Sequence, residues 1–132
     1  MKKTALVVED NALNCALFLE ILRHAGFATI CDTTGGEAQR LAESVRPAVA
    51  LVDLQLPEAS GLDVIRDLRA KPVTSGIPVI AVSAFARSAD GLAALKAGAD
   101  LFFCKPVDPR RLTAAVEKLV AEADAGMEAN VA

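Results

Sequence analysis

Short apolar runs alternate with helix-spaced stretches from one end of the chain to the other, and this alternation constrains the fold more than any other feature. Ala5 to Val8 is apolar throughout, as suits a strand buried on both faces (β1). Asn11 to Ala25 carries Leu13, Ala16, Leu17, Ile21 and Leu22 at helical spacing, and Gly26 is placed to stop that helix (α1). Phe27 to Cys31 reads as β2. Gly36 to Val45 reads as α2, with Thr33 or Thr34 near its start and Pro47 beyond its end. Ala48 to Val52 is an apolar β3 that stops at Asp53, and Ser60 to Ala70 is α3 with Leu62, Ile65 and Leu68 on one side. Pro72, Gly76 and Pro78 mark a loop, Ile77 to Val82 is β4, Arg87 to Ala97 is α4 ending at Gly98, and Leu101 to Cys104 is β5. Asp108-Pro109 opens α5, an aspartate cap followed by proline at the first helical position. That helix is expected to end near Ala123, leaving 124–132 as a small, polar, disordered tail.

Strictly alternating strands and helices predict an α/β fold, a parallel sheet covered by helices on both faces. Right-handed crossovers favour a doubly wound, flavodoxin-like sheet of five strands in the order 2-1-3-4-5. A chain of 132 residues, 53% of them hydrophobic, is the size of one ordinary domain and has the apolar matter for a core. In such sheets, ligands bind beyond the carboxyl ends of the strands, where the winding reverses. The polar residues sit there. Glu9 and Asp10 follow β1, Asp53 follows β3, Ser83 follows β4, and Lys105-Pro106 follows β5.

Three carboxylates gathered at one edge are costly. Two like charges about 4 Å apart repel by roughly 4 kcal/mol at an effective dielectric of ~20. The acids must then hold their protons more tightly or bind a cation. A hard, oxygen-liganded ion such as Mg²⁺ fits, because it takes one or two carboxylates and also contacts phosphate oxygens. Lys105 supplies positive charge on the other side, and the Ser83 hydroxyl can donate to a phosphoryl oxygen. These parts suit phosphoryl transfer to Asp53 as nucleophile, with charge on the equatorial oxygens neutralised by the cation and the lysine. Each acid taken alone is more simply a loop residue or a cap, and Asp10 and Ser83 could each cap the following helix. All of them together at the correct strand ends are hard to explain that way.

The motifs Val7-Val8-Glu9-Asp10-Asn11, Leu51-Val52-Asp53-Leu54-Gln55-Leu56-Pro57, Ser60-Gly61-Leu62, Pro78-Val79-Ile80-Ala81-Val82-Ser83-Ala84 and Lys105-Pro106 resemble those of response-regulator receiver domains. The resemblance covers about residues 3 to 122 and, through Glu9-Asp10-Asn11 and Phe85-Ala86, is closest to the DivK type of single-domain receivers. It implies that Asp53 accepts a phosphoryl group from a histidine kinase or histidine phosphotransfer protein in a two-component phosphorelay. It implies Mg²⁺ held by Asp10 and Asp53, by Glu9 through water, and by the backbone carbonyl of Gln55. Ser83 and Lys105 would bind the phosphoryl oxygens, and the Lys105–Pro106 bond would be cis. The family switch couples Ser83 to an aromatic residue three before the lysine. That residue is Phe102 here, which has no hydroxyl where many members carry tyrosine. Gln55 and Phe85 occupy the positions that tune the lifetime of the aspartyl phosphate. A bulky Phe85 screening water predicts a phosphorylated state more persistent than in rapid chemotaxis-type receivers, and a half-life of seconds would refute it; the alternative is that Phe85 is an exposed partner contact.

The resemblance implies signalling through the α4-β5-α5 surface to a downstream protein, and receivers often dimerise through the last two units, so a homodimer is an allowed state. No output domain fits after Ala123. The chain is expected to be no enzyme beyond its own phosphorylation and dephosphorylation. An aspartyl phosphatase would want a second acid two residues after Asp53, where Gln55 stands, and no glycine-rich nucleotide loop follows β1. A receiver fold used purely as an adaptor would have no need for Asp10, Asp53, Ser83 and Lys105. Net charge of −3 offers no basic face for nucleic acid. No apolar run reaches the ~20 residues of a membrane span, and no signal-peptide core is present. Cys15, Cys31 and Cys104 form no C-x-x-C pair and read as buried, reduced thiols of a cytoplasmic protein. His24, late in α1, reads as a surface residue.

Overall fold

A computed structural model describes residues 2–84 and 88–131, the side chains of 127–131 excepted. Five strands, β1 Thr4–Val8, β2 Ala28–Asp32, β3 Val49–Asp53, β4 Val79–Ser83 and β5 Leu101–Cys104, alternate with five helices, α1 Ala12–His24, α2 Ala38–Val45, α3 Gly61–Ala70, α4 Ser88–Ala97 and α5 Pro109–Val131. The strands pair in parallel in the order β2-β1-β3-β4-β5. The winding therefore reverses between β1 and β3, as the alternation predicts.

Strand side chains alternate across the sheet, and each set packs on a different group of helices. Ala5, Val7, Val49, Leu51, Ile80 and Val82 meet Phe18, Ile21 and Leu22 of α1 and Leu112 and Val116 of α5. Leu6, Val8, Ala50, Val52, Val79 and Ala81 meet α2, α3 and α4 through Ala42, Val64, Ile65, Leu68 and Ala94. The central strands β3 and β4 are buried at every position, whereas β5 is only half-buried. Each fully buried aliphatic side chain stabilises the fold by about 1.5–3 kcal/mol.

The helix ends follow their sequence signals. Asn11 caps α1, its side chain accepting from Asn14 N at 2.9 Å. Gly26 ends that helix at φ 96°, and the Gly26 and Phe27 amides donate back to Arg23 and Leu22. Asp108 Oδ1 accepts from Arg110 N at 2.9 Å at the start of α5.

The end of α5 departs from expectation. It runs past Ala123 to Val131 rather than fraying. Alanines and glutamates are strong helix formers and let the last turns propagate, and Lys3 Nζ pairs with Asp124 where the helix leaves the body of the domain. The start of α2 also differs. Neither Thr33 nor Thr34 caps it; buried Asp32, at the end of β2, accepts from Thr34 N and Glu37 N at 2.9 Å each and from the Thr34 hydroxyl at 3.0 Å.

At the amino end of the sheet Arg69 of α3 fastens several elements together. Its guanidinium donates to the carbonyls of Gly98, Ser75 and Ile77 and to Asp100 Oδ2. Asp100 Oδ2 also accepts from Val79 N at 2.8 Å.

Candidate functional site

The carboxyl ends of β1, β3, β4 and β5 converge on one point. Asp53 closes β3 and is 3% exposed. One of its oxygens, Oδ2, lies 3.1 Å from Lys105 Nζ, and the other, Oδ1, accepts from Gln55 N at 3.0 Å. The backbone here admits no side chain at the first residue of α3. A Cβ on Gly61 would sit 2.2 Å from the Asp53 carbonyl oxygen. Gly61 N donates to Leu54 O at 3.1 Å, and Gln55 pairs with Ser60, so the β3–α3 connection folds tightly beneath the carboxylate.

Glu9 is 1% exposed, whereas Asp10 faces solvent. Glu9 N is held by Asp32 O at 3.1 Å, and Glu9 Oε2 accepts from Asn11 N at 3.1 Å. Glu9 Oε1 lies 2.6 Å from Lys105 Nζ, but without hydrogen-bond alignment, so that buried oxygen has no directed partner. Burial pushes the Glu9 carboxyl above its usual 4.5; Lys105 and the Asn11 amide oppose the rise, and Asp53 adds to it. For Lys105, burial works to lower the ammonium's pKa, but Glu9 and Asp53 prevail and hold it above the usual 10.5.

One carboxylate oxygen from each of Glu9, Asp10 and Asp53 lies within 4.8 Å of the others. Three hard oxygen donors, balanced among the described residues by Lys105 alone, fit a hard divalent cation. A cleft lined by Asp10, Gln55, Pro57 and Ser60 opens beside them. Ser83, fully buried at the end of β4, donates to Gln55 Oε1 at 3.3 Å. The following Lys105–Pro106 bond is cis, as the resemblance implies. Phe102 is half-buried against the α2–α3–α4 core and packs on α4 at Gly91, where an added Cβ would lie 3.1 Å from its ring.

The structure thus gathers Glu9, Asp10, Asp53, Gln55, Ser83 and Lys105 at one edge, with Phe102 one strand behind. Phe85 lies outside the described residues. Sequence reasoning missed Asp32, whose buried carboxylate shapes the loop into α2 while its carbonyl holds the Glu9 amide. Its position at a strand end was the available signal. His24 is exposed and faces Glu20 at 3.7 Å, an ordinary surface pair. Of the cysteines expected to be buried only Cys15 is; Cys31 is half-buried on the edge strand β2 and Cys104, at the end of β5, is exposed.

The model of the response regulator receiver domain matches residues 5–117. The chain belongs to that family. The polar-differentiation response regulator DivK of Brucella anthropi is 37% identical to this receiver over 123 residues, covering 93% of this chain and all of the relative. A CheY-like response regulator receiver protein from Methanospirillum hungatei superposes with a TM-score of 0.86 at 27% identity, covering 96% of this chain and 99% of that one. The receiver domain of a sensor histidine kinase from Pseudomonas aeruginosa, solved with a magnesium ion coordinated in its active-site cleft, has a TM-score of 0.85 at 29% identity over 92% of this chain and 99% of its own. The chain is a receiver domain of a two-component response regulator, DivK-like in sequence.

Proposed function

We propose that this receiver is a Mg²⁺-dependent phosphorylation switch in which Asp53 takes a phosphoryl group from a histidine kinase or a histidine phosphotransfer protein. The observation that carries this reading is the buried Asp53 carboxylate, gripped by Lys105 on one oxygen and the Gln55 amide on the other, beside Glu9 and Asp10. The magnesium-bound receiver domain from Pseudomonas aeruginosa, with its matching fold, supports the choice of cation. Asp10 and Asp53, the Gln55 carbonyl and, through water, Glu9 would hold Mg²⁺. When bound, Mg²⁺ supplies positive charge to the phosphoryl oxygens.

Asp53 attacks phosphorus through a carboxylate oxygen while the bond from phosphorus to the donor nitrogen breaks and the imidazole leaves. Lys105, already 3.1 Å from Asp53, meets the charge that spreads over the equatorial oxygens. Ser83 donates its hydroxyl to one of them. Its shift draws on β4 and the neighbouring β5, where Phe102 rests against Gly91 of α4. Phosphorylation rebalances two populations of the α4-β5-α5 surface, which a downstream protein reads. Leu92 and Leu95 on α4 are exposed there, as a partner-binding face would have them.

The only chemistry assigned is the receiver's own phosphorylation and dephosphorylation. Three free cysteines suit a reducing cytoplasm. Among the described residues no helix is long and apolar enough to cross a membrane. Incubation with acetyl phosphate and Mg²⁺, followed by intact mass, tests the proposal. Wild type should gain one phosphoryl group and Asp53→Asn none. A wild type that stays unmodified, or an Asp53→Asn variant modified equally, rejects it.

A further inference from the structure

A serine hydroxyl has one proton to donate, and the Ser83 hydroxyl is placed to donate to Gln55. The contact spans two strands. Ser83 sits buried at the end of β4, and Gln55 reaches it from the β3–α3 connection, with Oε1 at 3.3 Å from Oγ. Among the described residues Gln55 is otherwise held by its backbone: its amide donates to Asp53 Oδ1, and it pairs with Ser60. Its side chain is exposed and can swing clear without disturbing the core. The bond is long, and one of its partners is already in contact with water. Such a bond adds little and is readily exchanged.

We propose that the Gln55 carboxamide is a resting-state latch: it engages the Ser83 hydroxyl proton that a phosphoryl group on Asp53 requires, and phosphorylation must displace it. This rests on the phospho-acceptor reading above and makes Gln55 a positioning residue that acts through Ser83. The latch holds the hydroxyl toward the β3 side and so sets a threshold for switching. Removing it leaves the backbone carbonyl of Gln55 in place and lets Ser83 reach the incoming group without first breaking its bond to Gln55.

A double-mutant cycle with Mg²⁺ and beryllofluoride, which stands in for the phosphoryl group on Asp53, tests this. Gln55→Met keeps the length of the side chain and removes its acceptor. It should tighten beryllofluoride binding about threefold in the Ser83 background, the size of one weak hydrogen bond. In the Ser83→Ala background it should change nothing. Equal changes in both backgrounds, or weaker binding in Gln55→Met, would overturn the latch; the latter would mean that the carboxamide helps to hold the phosphoryl group. A second readout needs no metal. The Gln55 side-chain amide signals of the metal-free protein should shift in Ser83→Ala, and unchanged signals reject the latch. Should wild type bind no beryllofluoride, the phospho-acceptor reading fails, and the amide signals alone decide whether the latch exists.

Discussion

At the amino end of the sheet, Arg69 and Asp100 form a charged pair surrounded by donors and acceptors that match; at the carboxyl end, Glu9, Asp10 and Asp53 crowd one lysine. Arg69 gives its protons to three carbonyls and a carboxylate, and the same carboxylate oxygen takes the Val79 amide. Lys105 serves two buried acids at once, and Glu9 Oε1 still lacks a directed bond. The first arrangement is complete without any ligand and fastens α3 to the starts of β4 and β5. On the proposed reading, a cation and an anion complete the second. Like charges crowded at a buried site cost stability, so where a fold tolerates them, a ligand is the natural partner.

Substitutions at the two ends should therefore separate stability from chemistry. Arg69→Met removes donors from four acceptors and should destabilise the fold by about 3 kcal/mol, while the folded fraction takes up phosphate from acetyl phosphate at the wild-type rate. Urea unfolding beside a single-turnover assay checks both halves. Lys105→Met should do the reverse in kind, slowing phosphoryl uptake by about a hundredfold, as loss of one preorganised positive group does. A Lys105→Met protein that accepts phosphate normally would erase the contrast.

The pH dependence sharpens it further. The Glu9 carboxyl is raised in the folded protein, so it binds its proton more tightly folded than unfolded. In metal-free protein it favours the fold below its ordinary 4.5 and withdraws that contribution as pH climbs through the higher folded value. Urea midpoints measured across that interval should fall for wild type, and adding Mg²⁺ should reduce the fall. Lys105 is raised as well, so its contribution is complete below 10.5 and is lost as pH rises through its folded value. The smallest effect expected is from Asp10→Asn. Removing one solvent-facing charge from the cluster should stabilise metal-free protein by about 1 kcal/mol or less while weakening Mg²⁺ binding. Lower stability in Asp10→Asn would mean that the acids do not strain one another.

The site was legible because its residues stand at strand ends, and the strands announced themselves as apolar runs. Asp53, Ser83 and Lys105 needed only the alternation and the reversal between β1 and β3 to be brought together. Arg69 was not legible, since it acts through hydrogen bonds to backbone that is placed by folding, and no local pattern encodes those; Asp32 offered only its place at a strand end, and its bonds into the following loop had no signal. The Ser83–Gln55 bond joins two side chains that the register of β3 on β4 brings together, and it too has no local pattern. The extra turns of α5 were misjudged because a short, small-residue tail looks like a frayed end, although its alanines, Met127 and Glu128 favour helix. Gly61 was read as part of a motif; the 2.2 Å approach of an added Cβ to the Asp53 carbonyl gives the reason a side chain cannot stand there.

The most direct measurement is a crystal structure of the protein grown with Mg²⁺ and beryllofluoride. It should show the beryllium on an Asp53 oxygen, the metal touching Asp10, Asp53 and the Gln55 carbonyl, and Lys105 turned from Glu9 toward a fluorine. A metal bound elsewhere, or Asp53 still paired with Lys105 and carrying nothing, would contradict the claim that these charges are gathered to receive a phosphoryl group.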